Sequence, residues 1–208
     1  MEIAILGAGH VGQALAQGLR ALGHSLVFGV PDPAKYQDLA ARLGARCETV
    51  PAALDTAHLV ILAVPYAAAL EIAGSVEDWQ GRVLIDATNP IAPGLSGLLV
   101  GTQSSGAEQI AAIARGARVV KAFNTTGFEN LAAPRYSAGP LFLPVASDDA
   151  EARAEVLALA TAMGFDAVDA GPLRGARYTE PFAMLWIDLA YQRGLGRQFG
   201  FQRVQRGA

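Results

Sequence analysis

The stretch Ile3-Ala4-Ile5-Leu6-Gly7-Ala8-Gly9-His10-Val11-Gly12 decides the fold. An apolar, strand-like run leads into three glycines spaced G-x-G-x-x-G, and the segment from Val11 to Leu22 then reads as a helix. Strand, glycine turn and helix in immediate succession set backbone amides at a helix N-terminus, a geometry that binds a pyrophosphate. Each glycine has its own task. Gly7 permits the tight turn, Gly9 lets the backbone approach the phosphates, and Gly12 lets the helix pack closely on the strand. Gly7, Ala8, Gly9, His10, Val11 and Gly12 are therefore the expected cofactor-binding residues, with NADP or NAD as ligand.

Outward from that segment, further apolar runs alternate with helical stretches. Ser25 to Phe28, Ala45 to Glu48, His58 to Val64, Arg82 to Asp86 and Ala117 to Phe123 read as the following five strands. These runs are continuous rather than alternating, which suits parallel strands covered by helices on both faces. Leu141 to Ala146 and Phe165 to Asp169 add two later strands around a helix opened by the capping pattern Asp148-x-x-Glu151. A second capping box, Ser105-x-x-Glu108, launches a helix ending near Arg115 after a long loop, Pro93 to Gly106. The expected fold is α/β, a doubly wound, mostly parallel Rossmann sheet with a small C-terminal helical segment. Residues 1–170 form the dinucleotide-binding domain, and 171–208 pack on it in a single unit.

The composition fits that reading: 208 residues, 52% hydrophobic, 17% charged, net charge −3. No apolar run reaches the roughly 18 residues of a membrane span, and no cleavable leader is expected, so the expected location is cytoplasmic. Cys47, the single cysteine, excludes disulfides within the chain and thiolate metal clusters and reads as packing material. Without a basic cluster, nucleic acid is not an expected partner. Arg193, Arg197, Arg203 and Arg206 read as a solvated tail.

In an open parallel sheet, ligands lie beyond the carboxyl ends of the strands. The residues there are Val64, Pro65 and Tyr66, then Asp86 to Pro90, then Phe123 to Thr126. Val64, Pro65 and Asn89 join the cofactor contacts, while Pro65, Asn89, Asn124 and Thr125 are the acceptor-side candidates, uncharged groups suited to orienting two flat rings. Asp86 reads as a structural brace and Phe123 as core. His24 and His58 read as structural, His10 as a cofactor contact, and no histidine cluster suggests a metal. At the end of strand two, Asp32 falls twenty residues past Gly12, the spacing of an acid that binds ribose hydroxyls, but Asp32-Pro33 also reads as a helix cap, which is favoured. Lys35 could reach a 2′-phosphate.

With those residues in place, the chain resembles the deazaflavin-dependent NADP oxidoreductases, the coenzyme F420 reductases, along essentially its whole length. The resemblance rests on Gly7 to Gly12, Ala63 to Tyr66, Asp86 to Pro90, Ser104 to Glu108, Lys121 to Thr125, Asp169 to Leu173, Ala176-Arg177 and Glu180-Pro181. It implies an NADP-binding Rossmann domain, a dimer, and hydride transfer between nicotinamide and a deazaflavin or flavin co-substrate. The reductase domain of iron- and copper-reducing metalloreductases is similar at greater distance. Two positions depart from the family pattern: Val30 and Pro31 stand where members carry a serine and an arginine for the 2′-phosphate, and His10 stands where asparagine is common.

The C-terminal stretch from Pro181 to Arg193 carries an apolar stripe at Phe182, Leu185, Trp186 and Leu189, with Met184, Ile187 and Tyr191 on other faces. A homodimer is the expected cover for such a helix, with Gly194 and Gly196 ending it. Two other functions fit the same Rossmann half: reduction of a small imine or carbonyl with Tyr66 or Tyr178 as proton donor, and a dinucleotide sensor without turnover.

Overall fold

The computed structural model describes residues 1–206. The apolar runs form β1 (Glu2–Leu6), β2 (Ser25–Gly29), β3 (Arg46–Glu48), β4 (Leu59–Leu62), β5 (Val83–Asp86) and β6 (Arg118–Lys121). They pair in parallel in the order β3-β2-β1-β4-β5-β6. β4 and β5 are buried at every residue, because helices cover both faces. α1 (His10–Ala21) and α2 (Gln37–Arg42) pack on one face; α3 (Val50–Leu54), α4 (Tyr66–Ser75) and α5 (Gly106–Ile113) pack on the other; α6 (Ala150–Ala162) returns to the first. Sheet order reverses between β1 and β4, and the crevice above their carboxyl ends is where such folds bind ligands.

The later strands do not join this sheet as regular members. β7 (Arg135–Tyr136) and β8 (Gly139–Pro140) make a short antiparallel pair, while β9 (Phe142–Val145) and β10 (Asp166–Asp169) pair in parallel with each other. An antiparallel bridge between Lys121 and Ala146 ties this unit to β6. Pro144 has no amide to donate, which suits β9 to so short a ladder.

Capping departs from the expected pattern by one residue at α6. Asp149 is the cap, its Oδ1 accepting from the Ala152 amide at 2.7 Å, because Asp148 is committed elsewhere, accepting from the Leu173 amide at 2.9 Å. Ser105 caps α5 as the box predicts, but that helix ends at Ile113. Cys47 is a buried free thiol, pushed up by burial and by the Glu48 carboxylate, as befits a packing residue.

The last helix, α7 (Ala176–Ile187), begins five residues before the expected Pro181 and runs on as a π-helical turn from Asp188 to Gln192. Burial of Ala176, Thr179 and Glu180 upstream of the proline extends the helix through it, so tertiary contact overrides the local break. The buried face is Ala183, Trp186, Ile187 and Ala190; of the expected stripe only Trp186 belongs to it, Phe182 and Leu189 are partly buried, and Leu185 is 48% exposed. The chain's own tail covers this face: Phe199 stacks on Trp186 at 5.2 Å and its carbonyl accepts from Trp186 Nε1 at 2.9 Å. The tail arginines are correspondingly not all free. Arg203 forks onto Asp166 at 2.9–3.0 Å, Arg197 lies 2.9 Å from Glu129, and Arg193 pairs with Asp188. No helix among the described residues is long and apolar enough to cross a membrane.

Candidate active site

The fingerprint glycines divide into two that the fold itself requires and one that it does not. Gly7 adopts φ +110°, and a Cβ there would stand 2.6 Å from the Ala63 carbonyl oxygen and 2.7 Å from Val64 Cγ1. A Cβ on Gly12 would overlap the Gly7 carbonyl. A Cβ on Gly9 would meet nothing within 4 Å. Gly9 is also the N-cap of α1 and supplies no side-chain cap, so the amides of the first turn, His10, Val11 and Gly12, have no acceptor within the helix. The start of the helix borders a cavity of about 380 Å³ lined by Gly9, His10, Val11, Val64, Pro65, Tyr66, Thr88, Asn89 and Phe128, among others. This cradle of amides fits a pyrophosphate.

His10 does not point freely into solvent. Its ring stacks on Phe128 at 4.6 Å with an interplanar angle of 19°, so that the two rings form one wall of the cleft. Phe128 escaped the sequence reading; it lies in a short turn, Phe128–Asn130, and carries no local motif.

Behind the opposite wall is a wholly buried ionic cluster. Lys121 Nζ lies 2.9 Å from Asp86 Oδ2 and 3.0 Å from Glu180 Oε1, and donates to the Thr88 carbonyl at 2.6 Å. All three charged side chains are at most 1% exposed. Burial alone pushes the Lys121 ammonium down, but the carboxylates of Asp86 and Glu180 overcome it and hold it above its ordinary value. Two carboxylates facing one ammonium leave a surplus negative charge, which the N-terminus of α5 meets: Glu180 accepts from the Gly106 and Ala107 amides at 2.9 and 3.1 Å. Asp86 Oδ1 in turn accepts from both the amide and the hydroxyl of Thr88. The cluster thereby fixes the turn that carries Thr88 and Asn89 into the cleft. Asp86 is a brace, as expected; Lys121 and Glu180 were quoted only within matching segments, since nothing local reveals partners so distant in sequence.

Of the acceptor-side candidates, the structure brings Pro65 and Asn89 to the cleft and sets Asn124 and Thr125 behind it, both buried. Asn89 Nδ2 donates to the Asn124 carbonyl at 2.9 Å, and Asn124 Nδ2 donates back to Asn89 Oδ1 at 3.0 Å. This reciprocal clasp holds the Asn89 amide in one orientation. Phe123 makes it possible by turning the chain through φ +63°, a left-handed conformation that costs a non-glycine residue about 1–3 kcal/mol.

Tyr66 lines the cleft, but its hydroxyl donates to Gln109 Oε1 at 2.6 Å, and burial, with Glu180 and Asp86 nearby, pushes it up to about 12. Tyr178 does not reach the cleft; it is 68% exposed and lines a different cavity beside Phe142 and Phe182. Lys35 is exposed, its ammonium 5.6 Å from the centroid of the Tyr36 ring. Among the described residues, no group of three or more His, Cys, Asp or Glu is placed to hold a metal.

Residues 2–90 match the family model described as NADP oxidoreductase, coenzyme F420-dependent. A solved structure from Arthrobacter sp. FB24, provisionally designated an F420-dependent NADP-reductase, is 31% identical, covers 99% of this chain and 100% of its own, and superposes with a TM-score of 0.87. The chain belongs to this family of F420-dependent NADP oxidoreductases. As a member, it is an oxidoreductase with a mostly parallel Rossmann sheet. Metalloreductase STEAP3 of Rattus norvegicus is 29% identical over 180 residues, which are 86% of this chain but 36% of that protein, so the chain spans about a third of that relative's length. An imine reductase from Aspergillus terreus shares the fold at 20% identity and a TM-score of 0.69, over 91% of this chain and 61% of its own.

Proposed function

We propose that this oxidoreductase transfers a hydride between a nicotinamide dinucleotide, NADP(H) in the family at large, and a flat flavin-like or deazaflavin acceptor of the coenzyme F420 type. The observation that carries this reading is the uncapped first turn of α1, opening past Gly9 onto a cleft whose lining has no carboxylate. Hydride transfer between two rings needs alignment and exclusion of water more than it needs an acid or base. When bound, the dinucleotide supplies or accepts the hydride. The residues of this chain bind and orient: amides of Gly9 to Gly12 hold the pyrophosphate, Val64 and Pro65 give a rigid apolar edge, and Asn89 offers a fixed amide to a ring carboxamide. In this reading Asn124 and Thr125 act behind Asn89 rather than on the acceptor. Anaerobic oxidation of reduced dinucleotide with a deazaflavin, a flavin or a cyclic imine in turn tests the assignment. Turnover with the flat rings is expected, and turnover with the imine alone would overturn it.

The imine reading needs a proton donor in the cleft. Tyr66 is engaged with Gln109 and raised to about 12, which makes it a poor one. A sensor without turnover would bind dinucleotide and reduce none of the three. A homodimer completes the reading, with Leu185 and Tyr191 left about half exposed on the C-terminal helical segment; light scattering is expected to give twice the 21.6 kDa chain mass.

A further inference from the structure

We propose that the ribose end of this cleft selects NAD(H) over NADP(H), with Asp32 as the residue that accepts hydrogen bonds from the free ribose hydroxyls. The inference rests on the dinucleotide reading above and deepens it. The adenosine ribose of a dinucleotide on this fold lies beyond the carboxyl end of the second strand. A carboxylate there favours the hydroxyls, and a basic side chain, best a guanidinium, accommodates a 2′-phosphate.

In this chain the end of β2 offers little to a phosphate. Val30 is 2% exposed and its amide is spent on the Glu48 carbonyl, so its side chain belongs to the core. Pro31 has no amide to donate. Asp32 follows, exposed, at the N-cap position of the turn Pro33–Tyr36, with φ −128° and ψ 90°. An aspartate at that position ordinarily accepts from an amide of the first turn, but here the side chain caps nothing, and its carboxylate faces solvent at the strand end. Glu48 also stands at this end of the sheet, in register with Gly29, but its carboxylate is paired with the Arg46 guanidinium at 3.9 Å, which leaves Asp32 as the unpaired acid. Lys35 is the one cation between Gly29 and Tyr36, and its ammonium lies over the Tyr36 ring, 5.6 Å from the centroid. A dianionic 2′-phosphate would enter beside the unpaired Asp32 carboxylate, whereas a hydroxyl would find an acceptor in it.

Fluorescence or calorimetric titration of the wild-type chain with NADH and NADPH, without any acceptor, tests this. NADH is expected to bind about tenfold or more tightly than NADPH. Asp32→Asn is expected to weaken NADH by about tenfold and to leave NADPH unchanged or tighter, with the melting temperature as a check on folding. Tighter binding of NADPH to the wild-type chain, or an unchanged NADH affinity in Asp32→Asn, overturns the assignment while leaving the dinucleotide reading intact. Binding of neither nucleotide overturns both.

Discussion

At the β5–β6 end of the cleft, Lys121, Asp86 and Glu180 are sealed from water and linked through Thr88 to the clasp of Asn89 on Asn124. At the β2 end, Pro31, Asp32 and Lys35 stand in solvent with little to hold them. The first region spends burial of three charges on orienting two neutral side chains. The second has no such investment, and its chemistry can change by single substitutions without disturbing the core. The contrast implies a division of labour: the part of a dinucleotide site that aligns reacting rings is over-determined, and the part that recognises a distant substituent is free to diverge.

That contrast can be broken most severely at the buried cluster. Lys121→Met leaves two buried carboxylates without their cation and is expected to lower unfolding free energy by about 3–5 kcal/mol in urea titrations. A loss below about 1 kcal/mol would mean that the cluster carries no such weight. Gly9→Leu is the complementary change. A Cβ there meets nothing within 4 Å, so the melting temperature should hold while dinucleotide affinity falls about a hundredfold, or some 2.7 kcal/mol. Equal affinity in that variant would remove the phosphate cradle from the account.

Smaller effects sharpen the comparison. Asn124→Ala removes the side-chain half of the clasp, leaving Asn89 only its bond to the backbone carbonyl, without touching the cleft lining; turnover is expected to drop about tenfold while dinucleotide affinity changes little. A large loss of binding instead would assign Asn124 a direct contact. Tyr66 is held above the ordinary tyrosine value, near 12, so its protonated form is favoured by folding. The stability this gives is fully present below pH about 10 and is lost as pH rises toward 12. Tyr66→Phe should flatten that alkaline slope in melting curves. Smallest of all, Arg203→Ala removes an exposed pair with Asp166, and thermal melts are expected to show little or no loss.

The sheet was legible because its signals are local. The continuous apolar run before Gly7 and the spacing of Gly7, Gly9 and Gly12 specify strand, turn and helix without help from elsewhere. The cluster was not legible in the same way. Arg118-Val119-Val120-Lys121 reads as a strand ending in a charge, and only the fold brings Asp86 and Glu180 to that ammonium. Adjacent acids at 148 and 149 were equally able to cap α6; the distant Leu173 amide decides between them. Pro181 suggested a helix start because the burial of Ala176 and Glu180 ahead of it has no local sign. Asn124 was assigned to the right neighbourhood but the wrong layer, since strand-end position does not say which side chain reaches the cleft and which stands behind it.

The central claim is hydride transfer across the cleft between Gly9 and Asn89, and the most direct measurement follows the hydride itself. Reduced dinucleotide with both hydrogens at the nicotinamide C4 replaced by deuterium is mixed anaerobically with enzyme and oxidised deazaflavin in a single turnover, with flavin in a parallel run, and the dinucleotide and the reduced deazaflavin are analysed by mass and NMR. Direct transfer places one deuterium on the ring carbon of the deazaflavin, where it does not exchange with water, and leaves one on the oxidised nicotinamide. Bound dinucleotide that retains both deuteriums in the presence of either acceptor would contradict it.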